Sequence, residues 1–492
     1  MRLRMIKKLS DGLYLSSTRK GRLKDSGNPM NRKLFFQTAS GISLAMILSG
    51  CAIPHKADPS LTLAAGGQVM SAAETAERYD INGDWWQVYQ SPQLNALVNQ
   101  ALANNADLRQ AAINVNKALY QANILGANLV PAFNGSLGAS TSQNLKSGSS
   151  TSSFSSQLGL SYELDLWQKL GAQADAQVWT YQATQQDLAG TRLTLINNVA
   201  DAYFNIAYLN EAMALSEKSV QQYQEIARIS EAKYRYGKVD ASEPTQSNQS
   251  LLSARNNLIS LQNSRNTLEE TLRNLLNLKP GEAIAAEPAQ YTLLPAKGVN
   301  LEVPISVLAN RPDLRAAEYR LQSAMRSVEA QQRSWYPSIT LGASLSTSSS
   351  KVRTLFDIPF LGGTAQINLP FLNWQTLKWE DKTAEANFDS AKLSFEQALT
   401  TALNEVNTNY LQYQNAENTL ENLQKRYALD QKNSRYYQVR YQYGKNELND
   451  WLTALNSEYS SAQSLLNQRY EVLKYENMVY KAMAGRYTPK AD

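Results

Sequence analysis

The chain has 492 residues with one Cys and one His, which excludes a disulfide framework and any zinc site built from clustered Cys and His. Its formal charge is +5, but the first fifty residues hold ten Lys or Arg against two Asp, a net of +8, which leaves about −3 for the rest. Beyond residue 50 the chain is mildly acidic, so its charge gives no signature for nucleic acid.

From Met30 the sequence reads MNRKLFFQTASGISLAMILSGCAIP. Arg32 and Lys33 start it, an apolar stretch comes next, and small residues precede Cys51, the pattern of a secretory signal. The Ser, Gly and Gln that interrupt it make it too short for a stable membrane span. Residues 1–50 are therefore assigned to the signal region, with Met30 as the expected start. Leu48-Ser49-Gly50-Cys51 resembles a bacterial lipobox. That resemblance implies that Cys51 becomes the lipidated first residue of the mature chain; no other cofactor is expected. Ala52 comes next rather than Asp, which by the same resemblance points to the outer membrane. Nucleophile–His catalysis would have to use His55, in a Pro- and Ala-containing stretch that offers no held geometry. Residues 51–94 read as the lipidated N-terminal segment and a linker.

An internal repeat organises the rest of the chain. LANNADLR at 102–109 matches LANRPDLR at 308–315, and Pro131 matches Pro337, both at an offset of 206. NVADAY at 198–203 faces EVNTNY at 405–410, and KYRYGK at 233–238 faces RYQYGK at 440–445, both at an offset of 207. The expected units are a first repeat at 95–280, a Pro-containing linker at 281–304, a second repeat at 305–486 and a tail at 487–492. Each repeat reads as helix, strand pair, very long helix, tip and shorter helix. Residues 375–443 contain neither Gly nor Pro, and a helix of that length would run roughly 100 Å and need neighbours throughout.

The strand pairs carry a membrane signal. In 154–166, Phe154, Leu158, Leu160, Tyr162, Leu164 and Leu166 alternate with Ser155, Gln157, Gly159, Ser161, Glu163 and Asp165. Residues 338–346 repeat the alternation, and 133–141 and 364–371 show it more weakly. Each is about the length of a tilted transmembrane strand. Trp167, Trp335, Tyr336, Phe371 and Trp374 cluster near the ends, as an interfacial girdle would. Four strands cannot close a barrel, and open edges do not survive in lipid. If these strands span a membrane, chains must pool them, and three chains with twelve strands is the smallest symmetric answer with a usable pore.

Trp85-Trp86 with Tyr89, Ser91-Pro92 and Leu94, Arg311-Pro312-Asp313-Leu314-Arg315-Ala316-Ala317-Glu318, and Tyr162-Glu163-Leu164-Asp165-Leu166-Trp167 resemble the motifs of TolC-like outer-membrane factors. With the lipobox they resemble the lipoprotein (NodT-type) branch that serves RND efflux pumps. The resemblance covers about residues 81–486. It implies an α+β membrane protein: a homotrimer whose 12-strand transmembrane β-barrel continues into a periplasmic α-helical barrel, built from a duplicated helix–β-hairpin–long helical hairpin unit. It implies a passive exit duct for drugs or other toxic small molecules, in outer-membrane lipid, working with a periplasmic adaptor (membrane fusion) protein and an inner-membrane RND-type transporter. The alternatives are a channel for type I protein secretion and a non-porous periplasmic coiled-coil lipoprotein. No nucleotide loop, metal cluster or catalytic triad spacing supports an enzyme.

The resemblance also assigns roles at the tips. Gly237 and Gly444 supply the positive φ of the hairpin turns, and Lys238 and Lys445 beside them are where the adaptor would dock. Glu243 and Asp450, six residues past each glycine, and Tyr441 fall at the periplasmic aperture, where three-fold repetition would gather negative potential. Asn446 stands where the best-known members place a gate Arg, and Thr453 where they place a second Asp, so a salt-bridge lock is not expected here. Around Arg311, Asn310 is expected to cap a helix that Pro312 and Asp313 begin.

Overall fold

The structure, a computed structural model, describes residues 59–62, 70–300, 303, 304, 306, 308 and 310–490. The signal region, Cys51 with its lipobox, and His55 lie outside the described residues.

The first described helix, α1 (Ala72–Arg78), is capped reciprocally by Ser71 and Glu74, and strand β1 (Tyr79–Asn82) comes next. A 3₁₀ turn, Trp85–Tyr89, leads into α2 (Pro92–Asn104) and α3 (Ala106–Gly126). Strands β2 (Ala132–Gln143) and β3 (Ser150–Leu164) precede the long helix α4 (Lys169–Arg235) and its return α5 (Ser242–Leu275). The second repeat has the same order: α6 (Pro312–Arg333), β4 (Ser338–Ser349), β5 (Pro359–Asn368), α7 (Trp374–Gln442) and α8 (Leu448–Ala482). Strand β6 (Arg486–Pro489) is the last element among the described residues.

Helices α4 and α7 are 67 and 69 residues long, about 100 Å each at 1.5 Å per residue. Helix α4 starts after Gln168, in the left-handed region at φ 59°. Its first turn is held by Asp165, whose carboxylate accepts the N–H groups of Leu170 (2.9 Å) and Gly171 (2.7 Å). Helix α4 packs against α2, α3, α5, α6 and α8, and its buried residues run from 170 to 230. Helix α7 packs mainly on α6 and α8, and most of its buried residues fall within 402–416. Leu393, Leu411 and Leu429 of α7 remain exposed.

The four long strands form one antiparallel sheet in the order β2-β3-β4-β5. Its register carries the alternation across all four strands. Phe133 faces Leu160, Leu158 faces Leu345, Tyr162 faces Leu341, Leu164 faces Ile339, Ile339 faces Ile367 and Leu345 faces Leu361. All share one face. Asn134, Gly159 and Ser344 lie on the other, with Ser155, Gln157, Ser161, Ser338, Thr340, Ser346, Gln366 and Thr364, and Phe360 is the apolar exception. Strands β2 and β5 each have one edge with no partner among the described residues. Phe133, Leu137, Leu361 and Ile367 are more than 60 % exposed.

The central core joins the 3₁₀ turn, α2, the middle of α4, the end of α5 and α8. Trp85 is fully buried and donates its indole N–H to Asn477 (2.8 Å), whose amide donates to the Asn197 carbonyl (3.1 Å). The connection between the repeats is irregular but strapped down. Asn210 donates to the carbonyls of Pro288 and Tyr291, and the buried Glu476 carboxylate accepts the Lys297 N–H at 2.9 Å. Burial pushes the Glu476 carboxyl above its ordinary value despite that bond.

Five expectations need correction. Strand β5 spans Pro359–Asn368 rather than 364–371, and Pro370–Asn373 is a 3₁₀ turn leading into α7. Strand β3 ends at Leu164, because Asp165 turns to cap α4. The stretch before residue 94 is not a plain linker, since Trp85, Trp86 and Tyr89 are core residues. Nor is the C-terminal stretch a free tail: β6 pairs antiparallel with β1, Tyr79 opposite Pro489, and Tyr487 is buried. Trp335 is not on display as a girdle residue. It is half-buried and donates to Asp381 at 2.6 Å. Trp167 and Tyr336, stacked at 5.0 Å, and the exposed Phe371 and Trp374 do lie at the helical end of the sheet.

Candidate functional site

The two helical hairpins turn at Gly237 and Gly444, with φ of +64° and +68°. At each, the glycine N–H returns to a carbonyl three residues back, Tyr234 or Tyr441. The following lysine N–H reaches five residues back, to Lys233 (2.9 Å) or Arg440 (2.8 Å). This is a Schellman motif written twice, and it satisfies the last carbonyls of α4 and α7. A Cβ at either glycine would meet nothing within 4 Å, so the requirement is purely backbone φ. Lys238 and Lys445 are exposed just past the turns, as are Tyr236 and Tyr443 before them.

Behind the tips the four long helices share a core of Tyr223, Ile226, Leu251, Tyr441, Leu448, Trp451, Leu452 and Leu455. Here two of the three residues that the resemblance assigns to an aperture meet. Tyr441, 7 % exposed, donates its hydroxyl to Glu243 at 2.6 Å, joining the end of α7 to the start of α5. Burial and the adjoining carboxylate hold the Tyr441 phenol protonated far above its ordinary range. Asp450 is exposed and not part of this contact; its carboxylate accepts from Asn446 at 2.8 Å. Asn446 also accepts from Arg440, whose guanidinium donates to the Tyr436 hydroxyl at 2.9 Å.

Two members of this site were missed in the sequence. The Lys233 ammonium lies over the Tyr441 ring, 3.8 Å from its centroid, and Trp451 packs against the same ring at 5.4 Å. The signal was present: both tip strings begin with a cation, Lys233 and Arg440. Lys233 reaches across to the other hairpin, whereas the contacts of Arg440 stay on its own.

The repeated LAN signatures have a structural role as well. Asn105 caps α3, accepting the Leu108 N–H at 3.0 Å, and donates to the Leu275 carbonyl at the end of α5 (2.9 Å). In the second repeat Arg311, not Asn310, stands at the N-cap of α6 and has no side-chain cap bond. Its buried guanidinium donates to the Ala482 carbonyl at the end of α8 (2.6 Å), to Asp313 (2.7 Å) and to Glu405 of α7 (2.7 Å). Burial alone would raise the Asp313 carboxyl, but the hydrogen bonds and charge of Arg311 outweigh it and hold the value below normal. Among the described residues, no group of three or more His, Cys, Asp or Glu could hold a metal ion, and no helix is long and apolar enough to cross a membrane.

A family model described as "Outer membrane efflux protein" matches residues 97–278 and again 303–485, one match per repeat. The chain belongs to the outer membrane efflux protein family. A relative from Aggregatibacter actinomycetemcomitans, called toxin and drug export protein A, is 46% identical over 418 residues, covering 85% of this chain and 92% of its own. The toluene efflux pump outer membrane protein TtgC of Pseudomonas putida is 30% identical and covers 91% and 96%. Among solved structures, CusC superposes with a TM-score of 0.74 at 25% identity, covering 82% of this chain and 96% of its own. The fold expected from the sequence, α+β with a duplicated helical hairpin, is that of these outer-membrane efflux channels, and the family is one of transport ducts.

Proposed function

We propose that this chain is the outer-membrane exit duct of a tripartite efflux system and works as a homotrimer. The observation that carries the proposal is the four-stranded sheet. One face is largely apolar across every strand, the other is polar apart from Phe360, and β2 and β5 each leave one edge unpaired among the described residues. An open edge is untenable in lipid, so three copies closing a twelve-stranded barrel satisfy the backbone and leave a Ser- and Gly-rich wet lumen. The exposed apolar residues of α7 support the same assembly, because a long helix needs neighbours along its length.

In this proposal the hairpin tips form a periplasmic ring. Gly237, Lys238, Gly444 and Lys445 present the surface on which a periplasmic adaptor docks, and an inner-membrane RND-type transporter supplies energy and direction. Tyr441, Glu243 and Asp450 stand at the aperture, where three copies of the carboxylates favour cations. A lipid on Cys51 anchors the chain to the outer membrane. Drugs or other toxic small molecules are the cargo, in keeping with the names of the relatives at 46% and 30% identity.

The deciding measurement is the native mass of the full-length protein in mild detergent, corrected for bound detergent. A trimer is expected; a monomer would leave bare strand edges in lipid and sink the duct. Cysteines at Lys238 or Lys445 should cross-link to the adaptor in cells, and failure at both would remove the tips as the docking surface. A second reading, export of a protein toxin, is favoured by the name of the first of those relatives. A deletion strain sensitive to toxic compounds but normal in secreted proteins would reject it.

A further inference from the structure

The connection between β4 and β5 is a feature of the sheet that the duct does not use. It lies at the end remote from the helices, since α3, α4, α6 and α7 all join the sheet at the other end. It is built, not loose. Thr347 donates its hydroxyl to the Leu355 carbonyl, and the hydroxyls of Ser349 and Thr354 meet at 2.5 Å. Thr354 and Leu355 donate their N–H groups to Lys351 and Val352 in a 3₁₀ turn, and Leu355 is buried.

The register sets the side on which this loop sits. Thr347 and Ser349 come after Leu345 at steps of two, so they belong to the apolar face. A loop bonded to both folds over that face rather than over the polar one. There it presents Lys351 and Arg353 interleaved with Val352, Phe356 and Ile358, all exposed. Neither cation forms an ion pair among the described residues, and the one carboxylate of the loop, Asp357, is also exposed. Strand β4 has 12 residues, which at a tilt of ~45° rise about 28 Å, close to the height of an outer-membrane barrel's apolar band. The short loop therefore stays at the level of the lipid headgroups. Large apolar side chains beside cations at that depth suit acyl chains below and anionic groups level with them.

We propose that the 350–358 loop is a binding surface for the phosphate groups of outer-leaflet lipid, with Lys351 and Arg353 taking the phosphates and Val352, Phe356 and Ile358 seated against acyl chains. The proposal rests on the membrane-barrel reading above. Its partner is a lipid bearing phosphate monoesters, not a free anion.

The test places the full-length protein in nanodiscs of phosphatidylcholine with rising fractions of lipid A. The lipid A retained on the protein is then measured by mass spectrometry. Wild type should retain lipid A in preference to its dephosphorylated form, and the preference should fall with salt. Lys351→Gln or Arg353→Gln should each raise the half-saturating fraction about five-fold, and the double variant roughly thirty-fold, at the usual strength of one cation near an anionic surface. Thr347→Val with Ser349→Ala, which removes both side-chain ties of the loop to the apolar face but keeps both cations, should also weaken retention. An unchanged preference in the double variant would overturn the proposal, as would full displacement of lipid A by millimolar inorganic phosphate. A protein that enters no bilayer would overturn the barrel reading as well; one that enters without discriminating phosphate overturns only this inference.

Discussion

Asn105 and Arg311 hold the same place in the two repeats, and both tie the start of a leading helix to the carbonyl end of the last helix of its own repeat. The chemistry has diverged. Asn105 is neutral and does two tasks with one amide, capping α3 and holding Leu275. Arg311 gives up the cap, leaves the helix start to Pro312, and directs its fork at Ala482, Asp313 and Glu405. The long helices show why the second tie reaches further. Helix α4 is buried along most of its length among five neighbours, whereas α7 lies mainly against two and is exposed over long stretches. The Arg311–Glu405 bond fastens α7 to the start of α6, a fastening that α4 obtains from packing. Both repeats keep the tie, and the one beside the less buried long helix makes more bonds.

This comparison can be broken by substitution. Arg311→Met should have the largest effect, a loss of about 2–3 kcal/mol, read as a lowered thermal midpoint in detergent. The expected range for breaking a buried pair is discounted because Asp313 and Glu405 are partly exposed. Asn105→Ala should cost less, ~1–2 kcal/mol, for one cap and one neutral hydrogen bond. Equal losses at the two positions would show that the ties are equivalent after all.

The pH dependence should differ too. The Asp313 carboxyl is held below its ordinary value of 3.8, so its contribution is present above that pH and is lost as the pH falls through the depressed folded value. The gap between wild type and Asp313→Asn should therefore be full at neutral pH and close in acid, while the loss from Asn105→Ala should not change with pH.

At the tips, Gly237→Ala and Gly444→Ala should each cost about 1 kcal/mol through φ alone, measured as increased proteolysis at the turn. Tyr441→Phe, which removes the hydroxyl from Glu243 and keeps the ring under Lys233, should be smallest, ~1 kcal/mol or less. Its readout is single-channel conductance in planar bilayers: if the proposed aperture lies here, more open time is expected, and an unaltered trace would show that the Tyr441–Glu243 contact restrains no gate.

Local patterns are legible in the sequence, and partners distant in the chain are not. The long helices show as runs without Gly or Pro, the strands as period-two alternation, and the tips as glycines that need positive φ. Each is a property of neighbouring residues. The Arg311 tie reads in sequence as a simple helix start because its partners Glu405 and Ala482 lie far along the chain. Strands β1 and β6 escape notice because YDIN and RYTP are too short for any periodicity to show. The start of β5 is placed late because Pro359, Gly362 and Gly363 mask a strand whose partner β4 dictates it. The resemblance names Glu243 and Tyr441 together, but their direct bond, with Lys233 over the ring, needs coordinates.

The β1–β6 ribbon has a topological consequence. The repeats are joined once by the covalent stretch between α5 and α6, and again where the segments flanking them pair, Asn82 opposite Arg486. Traced through both joints, the fold is a closed ring with no intrinsic beginning. A circular permutant opened between the repeats would therefore keep every hairpin intact.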